Sequence, residues 1–419
     1  MTLGATALSA GNVLLLLLQI VVILLVARVA ATAFRHLGQP SVVGEMIGGL
    51  LLGPSVFGVL APTLFLWLFH ADSLRLLRAV SQIGILVFMF VVGTEFDIAT
   101  LQPQARTAVA VALVGLIVPL ALGAVLAVPL YGIVRPPVHL TPFVLFVGIA
   151  MSVTAFPVLA RIVTERGLLA QPVGQLVLAS AAIDDATAWC LLAVAVSIAT
   201  TSTLSETLAS IGVGAVFTIA MIGGARSLIA RVRPRRTTWV TPLAAGTWLT
   251  SMLVTAACGF HAVFGAFIAG VTFSDNPQLR ATLRRRIEGV GSSVLVPLFF
   301  AFAGLRTEVS GLAYPRDWLI GAGVIALAIA AKLGACAAAA QWSGLPRRDA
   351  LAVGALMNTR GLMELIVLDI GYDLGVFTPN LFAILVIMAI ITTCMTGPIV
   401  SRLQQSPQPF TGPTLGTRL

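Results

Sequence analysis

Met151-Ser-Val-Thr-Ala-Phe-Pro-Val-Leu159 interrupts an apolar stretch with hydroxyls and a proline, and Met357-Asn-Thr-Arg-Gly-Leu-Met-Glu364 does the same far downstream. Each patch lies near the middle of a stretch of roughly 20 residues, about the length that crosses a bilayer as a helix. Thirteen such stretches run along the chain, starting near residues 12, 41, 76, 106, 141, 172, 205, 238, 260, 282, 317, 349 and 379. Gly and Pro interrupt the second, and the ninth is short. The two patches occupy the fifth and twelfth. Seven spans separate them, and an odd offset gives them opposite orientations in the membrane. Paired broken helices of opposite orientation point to an ion site near the midplane. Taken singly, either patch can also be read as an ordinary Pro or Gly kink, which membrane helices tolerate.

Composition agrees with a polytopic membrane protein. Of 419 residues 58% are hydrophobic and 10% charged, and the mean hydropathy is +1.02. A soluble globular domain carries about 25% charged residues, so that class is excluded. The formal charge of +9 would suggest nucleic-acid binding in a soluble chain, but here it is too sparse to form a basic face. Orientation explains it instead, because short cytoplasmic loops accumulate Arg. Arg35, Arg106, Arg161 with Arg166, then Arg226, Arg231, Arg233, Arg235 and Arg236, then Arg280, Arg284, Arg285 and Arg286, and Arg347 with Arg348 fall on alternate loops. The opposite loops hold Arg75, Arg78, Arg135, Arg306 and Arg316. With thirteen spans the N-terminus is expected outside and the C-terminus inside. The residues before Asn12 carry no cation, so the run Val13 to Phe34 is expected to be a retained span and not a signal peptide. One membrane domain is expected over 1–402, with a disordered polar tail over 403–419. Cys190, Cys258, Cys336 and Cys394 fall in separate apolar stretches without metal-ligand spacing, and His36, His70, His139 and His261 fall at span ends or loops.

A few ionisable residues remain at depth. Asp184 and Asp185 lie in Leu176-Val-Leu-Ala-Ser-Ala-Ala-Ile-Asp-Asp-Ala-Thr-Ala-Trp189, a dozen residues from either end of the sixth span, or roughly 18 Å deep at 1.5 Å per residue. Intramembrane carboxylates are costly and mark ion or proton pathways, although a structural buried acid is the alternative. Neighbouring helical positions diverge by about 100°, so the two cannot both face one small site squarely. Of the 25 basic residues 24 are Arg, and the single Lys332 lies within Ile329-Ala-Ala-Lys-Leu-Gly-Ala335. Its amine is about 15 Å from the nearer span end, too far to snorkel fully. It is the obvious counter-ion for an aspartate, either as a static pair or as a proton carrier released when a cation takes the aspartate. Arg360 and Glu364 share a helical face at i, i+4 and are expected to brace the broken helix. Thr154 and Asn358 are the candidate neutral oxygen ligands, since alkali cations take oxygen coordination. Glu45 and Asp369, near span ends, fit a headgroup-level position.

These residues resemble the monovalent cation:proton antiporter family 2, which includes bacterial sodium/proton antiporters, Kef-type potassium-efflux systems and plant cation/proton exchangers. The resemblance rests on Met151 to Arg161, on Asp184-Asp185, on Pro297-Leu-Phe-Phe-Ala-Phe-Ala-Gly-Leu-Arg306 and on Met357 to Leu365. Gly38-Gln-Pro-Ser-Val-Val-Gly-Glu45, Gly53-Pro-Ser55 and Gly93-Thr-Glu-Phe-Asp97 are similar to its early segments, and residues 12 to 402 are covered. The resemblance implies a homodimer of all-α inverted-repeat protomers. In each, two broken helices cross beside the paired-acid helix in a core that moves like an elevator against a dimerisation domain. It implies that Asp185 binds the cation and that Asp184 pairs with Lys332, as in electrogenic sodium/proton exchangers. The chain shows no Kef-type nucleotide-binding regulatory domain, which turns the expectation away from ligand-gated potassium efflux.

The expected activity is therefore exchange of a monovalent cation, sodium first, for protons across the cell membrane, with potassium/proton exchange as the alternative. No cofactor, covalent catalysis or nucleic-acid partner is called for. An intramembrane aspartyl protease also uses two buried acids, but from separate helices and with a GxGD pattern that is absent. A sodium-coupled symporter of an organic solute would need a larger cavity and no fixed intramembrane lysine.

Overall fold

A computed structural model describes residues 10–95, 105–168, 171–200, 204–231, 239–258, 262–309 and 311–404. Among them every regular element is helical. Nine helices of the described residues are long and apolar enough to cross a membrane. The other four expected spans fall on shorter pieces: Leu140–Ser152 with Phe156–Glu165, Ala262–Val271, Pro277–Val290 followed by Val296–Leu305, and Arg347–Met357 with Leu362–Asp373. His261, Arg233, Arg235, Arg236 and Asp97 lie outside the described residues, as does the expected disordered tail beyond Gln404. Leu403 and Gln404 continue the helix Pro379–Gln404.

The chain divides into two compact units, Met1–Phe88 with Ile287–Ser310, and Met89–Arg286 with Gly311–Leu419. In the first, helix Ala10–His36 packs on Ser41–Leu52, which packs on Val296–Leu305. Glycines make the approach possible. A Cβ at Gly49 would lie 1.8 Å from Ala301 O, and one at Gly304 would lie 2.2 Å from Met46 O. Lipid tails are as apolar as leucine, so membrane helices associate through such close van der Waals packing at small residues. The outward stripe Leu14, Leu17, Val21, Leu25 and Val29 is exposed, the inside-out pattern of a lipid-facing helix.

The second unit contains both breaks, the two acids and the lysine. Helix Ala105–Val134 packs against Leu140–Ser152, Pro172–Thr200 and Pro315–Trp342, and Pro315–Trp342 also packs against Arg347–Met357. Leu140–Ser152 stops at Val153 and the chain restarts at Phe156 with Pro157 in the first turn, where a missing N–H does no harm. The later break runs from Asn358 to Gly361. A Cβ at Gly361 would meet Val158 Cγ2 at 2.7 Å, so glycine at one break allows close approach of the residues that follow the other.

Gly49→Val should therefore lower the melting temperature of detergent-purified protein by several degrees, the overpacking penalty being about 1–3 kcal/mol. Gly323→Val, where a Cβ meets nothing within 4 Å, should leave it unchanged. Equal melting curves for the two variants would contradict the proposed helix contact.

Candidate functional site

Breaking a helix inside hydrocarbon frees backbone groups that water cannot satisfy. At the first break they are answered by ionisable side chains of complementary polarity. The last carbonyls of Leu140–Ser152 accept from cations: Arg360 Nη1 donates to Ala150 O at 2.5 Å and Nη2 to Met151 O at 2.6 Å, while Lys332 Nζ donates to Ser152 O. The N–H groups that lead into Phe156–Glu165 meet carboxyl oxygens. Thr154 N–H donates to Asp184 Oδ2 at 2.8 Å, and the Phe156 N–H bonds Asp185. Cations at a helix C-terminus and anions at an N-terminus complement the helix dipoles.

The second break uses neutral groups. Thr154 Oγ1 donates to Met357 O at 2.8 Å, and Ala155 N–H donates to Thr359 O at 3.0 Å, so the two breaks meet directly. Helix Pro379–Gln404 supplies the rest. Thr393 Oγ1 donates to Arg360 O at 2.7 Å and accepts from Arg360 N–H at 3.1 Å, and Thr396 Oγ1 donates to Ala355 O at 3.2 Å. Thr393 and Thr396 were missed in the sequence reading. The signal was there, hydroxyls three residues apart within the apolar run Ile391-Thr-Thr-Cys-Met-Thr-Gly397.

Asp184, Asp185 and Lys332 are 1%, 4% and 0% exposed. Lys332 Nζ lies 3.0 Å from Asp184 Oδ2 and donates also to Gly115 O at 2.8 Å. Asp184 Oδ2 thus receives two donors. By contrast, Asp184 Oδ1, Asp185 Oδ1 and Asn358 Oδ1 are buried and accept no hydrogen bond among the described residues. Arg360 and Glu364 form a buried pair at 3.4 Å. The guanidinium's shorter contacts are the helix-end carbonyls, which sequence spacing could not reveal. Glu45 is buried near the start of Ser41–Leu52.

Membrane-length helices, two of them broken where carboxylates and a lysine are buried, define a secondary ion transporter. A sequence model described as sodium/hydrogen exchanger, transmembrane, matches residues 20–405. The chain belongs to this sodium/hydrogen exchanger family and is a multi-pass membrane protein of the cation/proton antiporter class. It is 37% identical over 406 residues to the Na(+)/H(+) antiporter NhaS4 of Synechocystis sp., covering 95% of this chain and 99% of that protein. It is 38% identical over 397 residues to Cation/H(+) antiporter 17 of Arabidopsis thaliana, covering 92% of this chain and 48% of that protein. Identity to K(+)/H(+) antiporter 1 of Saccharomyces cerevisiae is 32% over 406 residues, covering 93% and 46%. The chain thus spans about half the length of these plant and yeast relatives. Its fold is similar to that of the sodium proton antiporter MjNhaP1 from Methanocaldococcus jannaschii, with a TM-score of 0.67 at 16% identity, covering 94% of this chain and 97% of that one.

Arg360→Gln should lose about 3–5 kcal/mol, the penalty for leaving one member of a buried pair uncompensated, and the detergent melting temperature should drop accordingly. Arg360→Gln with Glu364→Gln should recover part of the loss. Wild-type thermal stability in the single variant would show that the guanidinium does not brace the break.

Proposed function

We propose that the chain exchanges sodium for protons, with Asp185 as the carboxylate that alternately holds the cation and a proton. The observation that carries this is the asymmetry of the two acids. Each keeps a buried Oδ1 that accepts nothing, but Asp184 is paired through Oδ2 with the Lys332 ammonium and the Thr154 N–H, whereas Asp185 has the backbone N–H of Phe156. A carboxylate whose charge is already met by an ammonium is a poor cation ligand, and one met only by an amide N–H is a better one. Asn358 Oδ1 likewise accepts nothing, and the Thr154 hydroxyl, donating to Met357 O, retains lone pairs. These are the neutral oxygens an alkali ion wants beside a single carboxylate. The site needs no cofactor.

Charge balance supports electrogenic exchange. If one cation displaces a proton from Asp185 and a second from the Asp184–Lys332 pair, two protons leave for each charge that enters. Alternating access by an elevator-type movement of the core suits the way the break region is laced together by Arg360, Lys332, Thr154, Thr393 and Thr396. Those bonds tie together six helices, Ala105–Val134, Leu140–Ser152, Pro172–Thr200, Pro315–Trp342, Arg347–Met357 and Pro379–Gln404, so that the site can move as a unit. The distribution of Arg supports a cell-membrane orientation with the N-terminus outside, and the family resemblance supports a homodimer. Potassium/proton exchange is the second reading, favoured by the similarity to the yeast protein.

The test is cation-induced proton release in proteoliposomes of the purified chain, scanned over sodium, potassium and lithium. Asp185→Asn should abolish exchange, and retained exchange would remove the site assignment. Lys332→Ala, at a cost in thermal stability, should lose the transport current while keeping sodium-dependent proton release. An unchanged current would exclude the amine from the stoichiometry. A response to potassium and not to sodium would select the second reading.

A further inference from the structure

Lys332 lies beside a backbone oxygen whose availability has a cause in the sequence. Proline lacks an N–H, so within a helix it leaves the carbonyl four residues earlier without its intrahelical donor. Pro119 is inside helix Ala105–Val134 and buried, and the carbonyl four residues before it is Gly115 O. That oxygen accepts from Lys332 Nζ at 2.8 Å. The second carbonyl on the amine, Ser152 O, is free for a different reason: it ends a half-helix, whose last carbonyls have no partners of their own. With Asp184 Oδ2 at 3.0 Å, the three N–H bonds of an ammonium have three acceptors, two of them fixed backbone oxygens. Glycine at 115 is needed for the approach, because a Cβ there would lie 2.3 Å from Cys336 Sγ, one turn beyond the lysine.

We infer that Pro119 is a positioning residue for transport. The carbonyl it frees forms, with Ser152 O, a fixed dock for the Lys332 amine. When a cation binds at Asp185 and the Asp184–Lys332 pair releases its proton, the amine stays bonded to both carbonyls and lets the Asp184 carboxylate go, instead of having to find new partners in a dry core. An amine deprived of one carbonyl leans harder on Asp184, and the cation must then displace it at greater cost. Pro119 touches neither acid nor cation and acts only through the lysine. The inference rests on the proposed cation site at Asp185 and the proton release proposed for the Asp184–Lys332 pair.

Pro119→Ala restores the N–H and allows Gly115 O to return to its intrahelical bond. Removing a proline from a helix interior favours folding, so the melting temperature should not fall. In proteoliposomes at fixed pH, the apparent KM for sodium should rise about tenfold, the scale of one hydrogen bond to a charged group. Vmax should stay within about twofold. In a Lys332→Ala background, assayed by sodium-dependent proton release, the same substitution should leave KM unmoved, since the amine is gone. An unchanged or lowered KM in the single variant, or an equal rise with and without Lys332, overturns the inference. Pro119→Gly, which also restores the N–H, replaces the alanine variant if that one does not fold. Asp185→Asn in the same preparations separates the two levels: if it retains exchange the functional reading fails, whereas if it is inactive while Pro119→Ala is wild-type only the dock fails.

Discussion

The backbone polar groups freed where two helices break inside an apolar core are the constraint on which the rest of this structure depends. Each unsatisfied group there would cost several kcal/mol, and at the first break the chain answers with ionisable side chains. Arg360 and Lys332 take the carbonyls of Ala150, Met151 and Ser152, while Asp184 and Asp185 take the N–H groups of the next half-helix. Charges that would be prohibitive in hydrocarbon become tolerable because helix ends of opposite sign receive them.

The same arrangement couples architecture to chemistry. A cation entering beside Asp185 enters a network in which Asp184 already shares its oxygen between a lysine and a backbone N–H. Binding therefore competes with interactions that also hold the break together. Arg360 is shielded from that competition: its contacts are carbonyls and Glu364, and none involves Asp184 or Asp185. The two buried cations thus differ in kind. One secures the scaffold and the other sits on the acid pair.

Several features were legible before any coordinates. The succession of apolar runs, the two interruptions and the depth of Asp184, Asp185 and Lys332 follow from counting residues against the thickness of a bilayer. Helix Pro172–Thr200 holds the acids near its middle, as span length requires. The ninth expected span, short already in the sequence, is the ten-residue helix Ala262–Val271 among the described residues. Thr393 and Thr396 escaped notice because a threonine in an apolar helix usually bonds its own preceding turn; their service to the second break depends on helix Pro379–Gln404 passing beside it.

By itself, then, the sequence determined the class of protein, its succession of membrane runs and the handful of residues able to carry charge at depth. These are consequences of local hydrophobicity and of a fixed rise per residue, which need no knowledge of neighbours. Only the tertiary structure decided which oxygen each charge meets. Asp184 and Asp185 are adjacent in the chain, yet their unequal partners come from residues as distant as Lys332, 148 positions away, and from the Phe156 N–H at the break. Helical geometry turns neighbouring side chains about 100° apart, and what lies in each direction is set by packing alone.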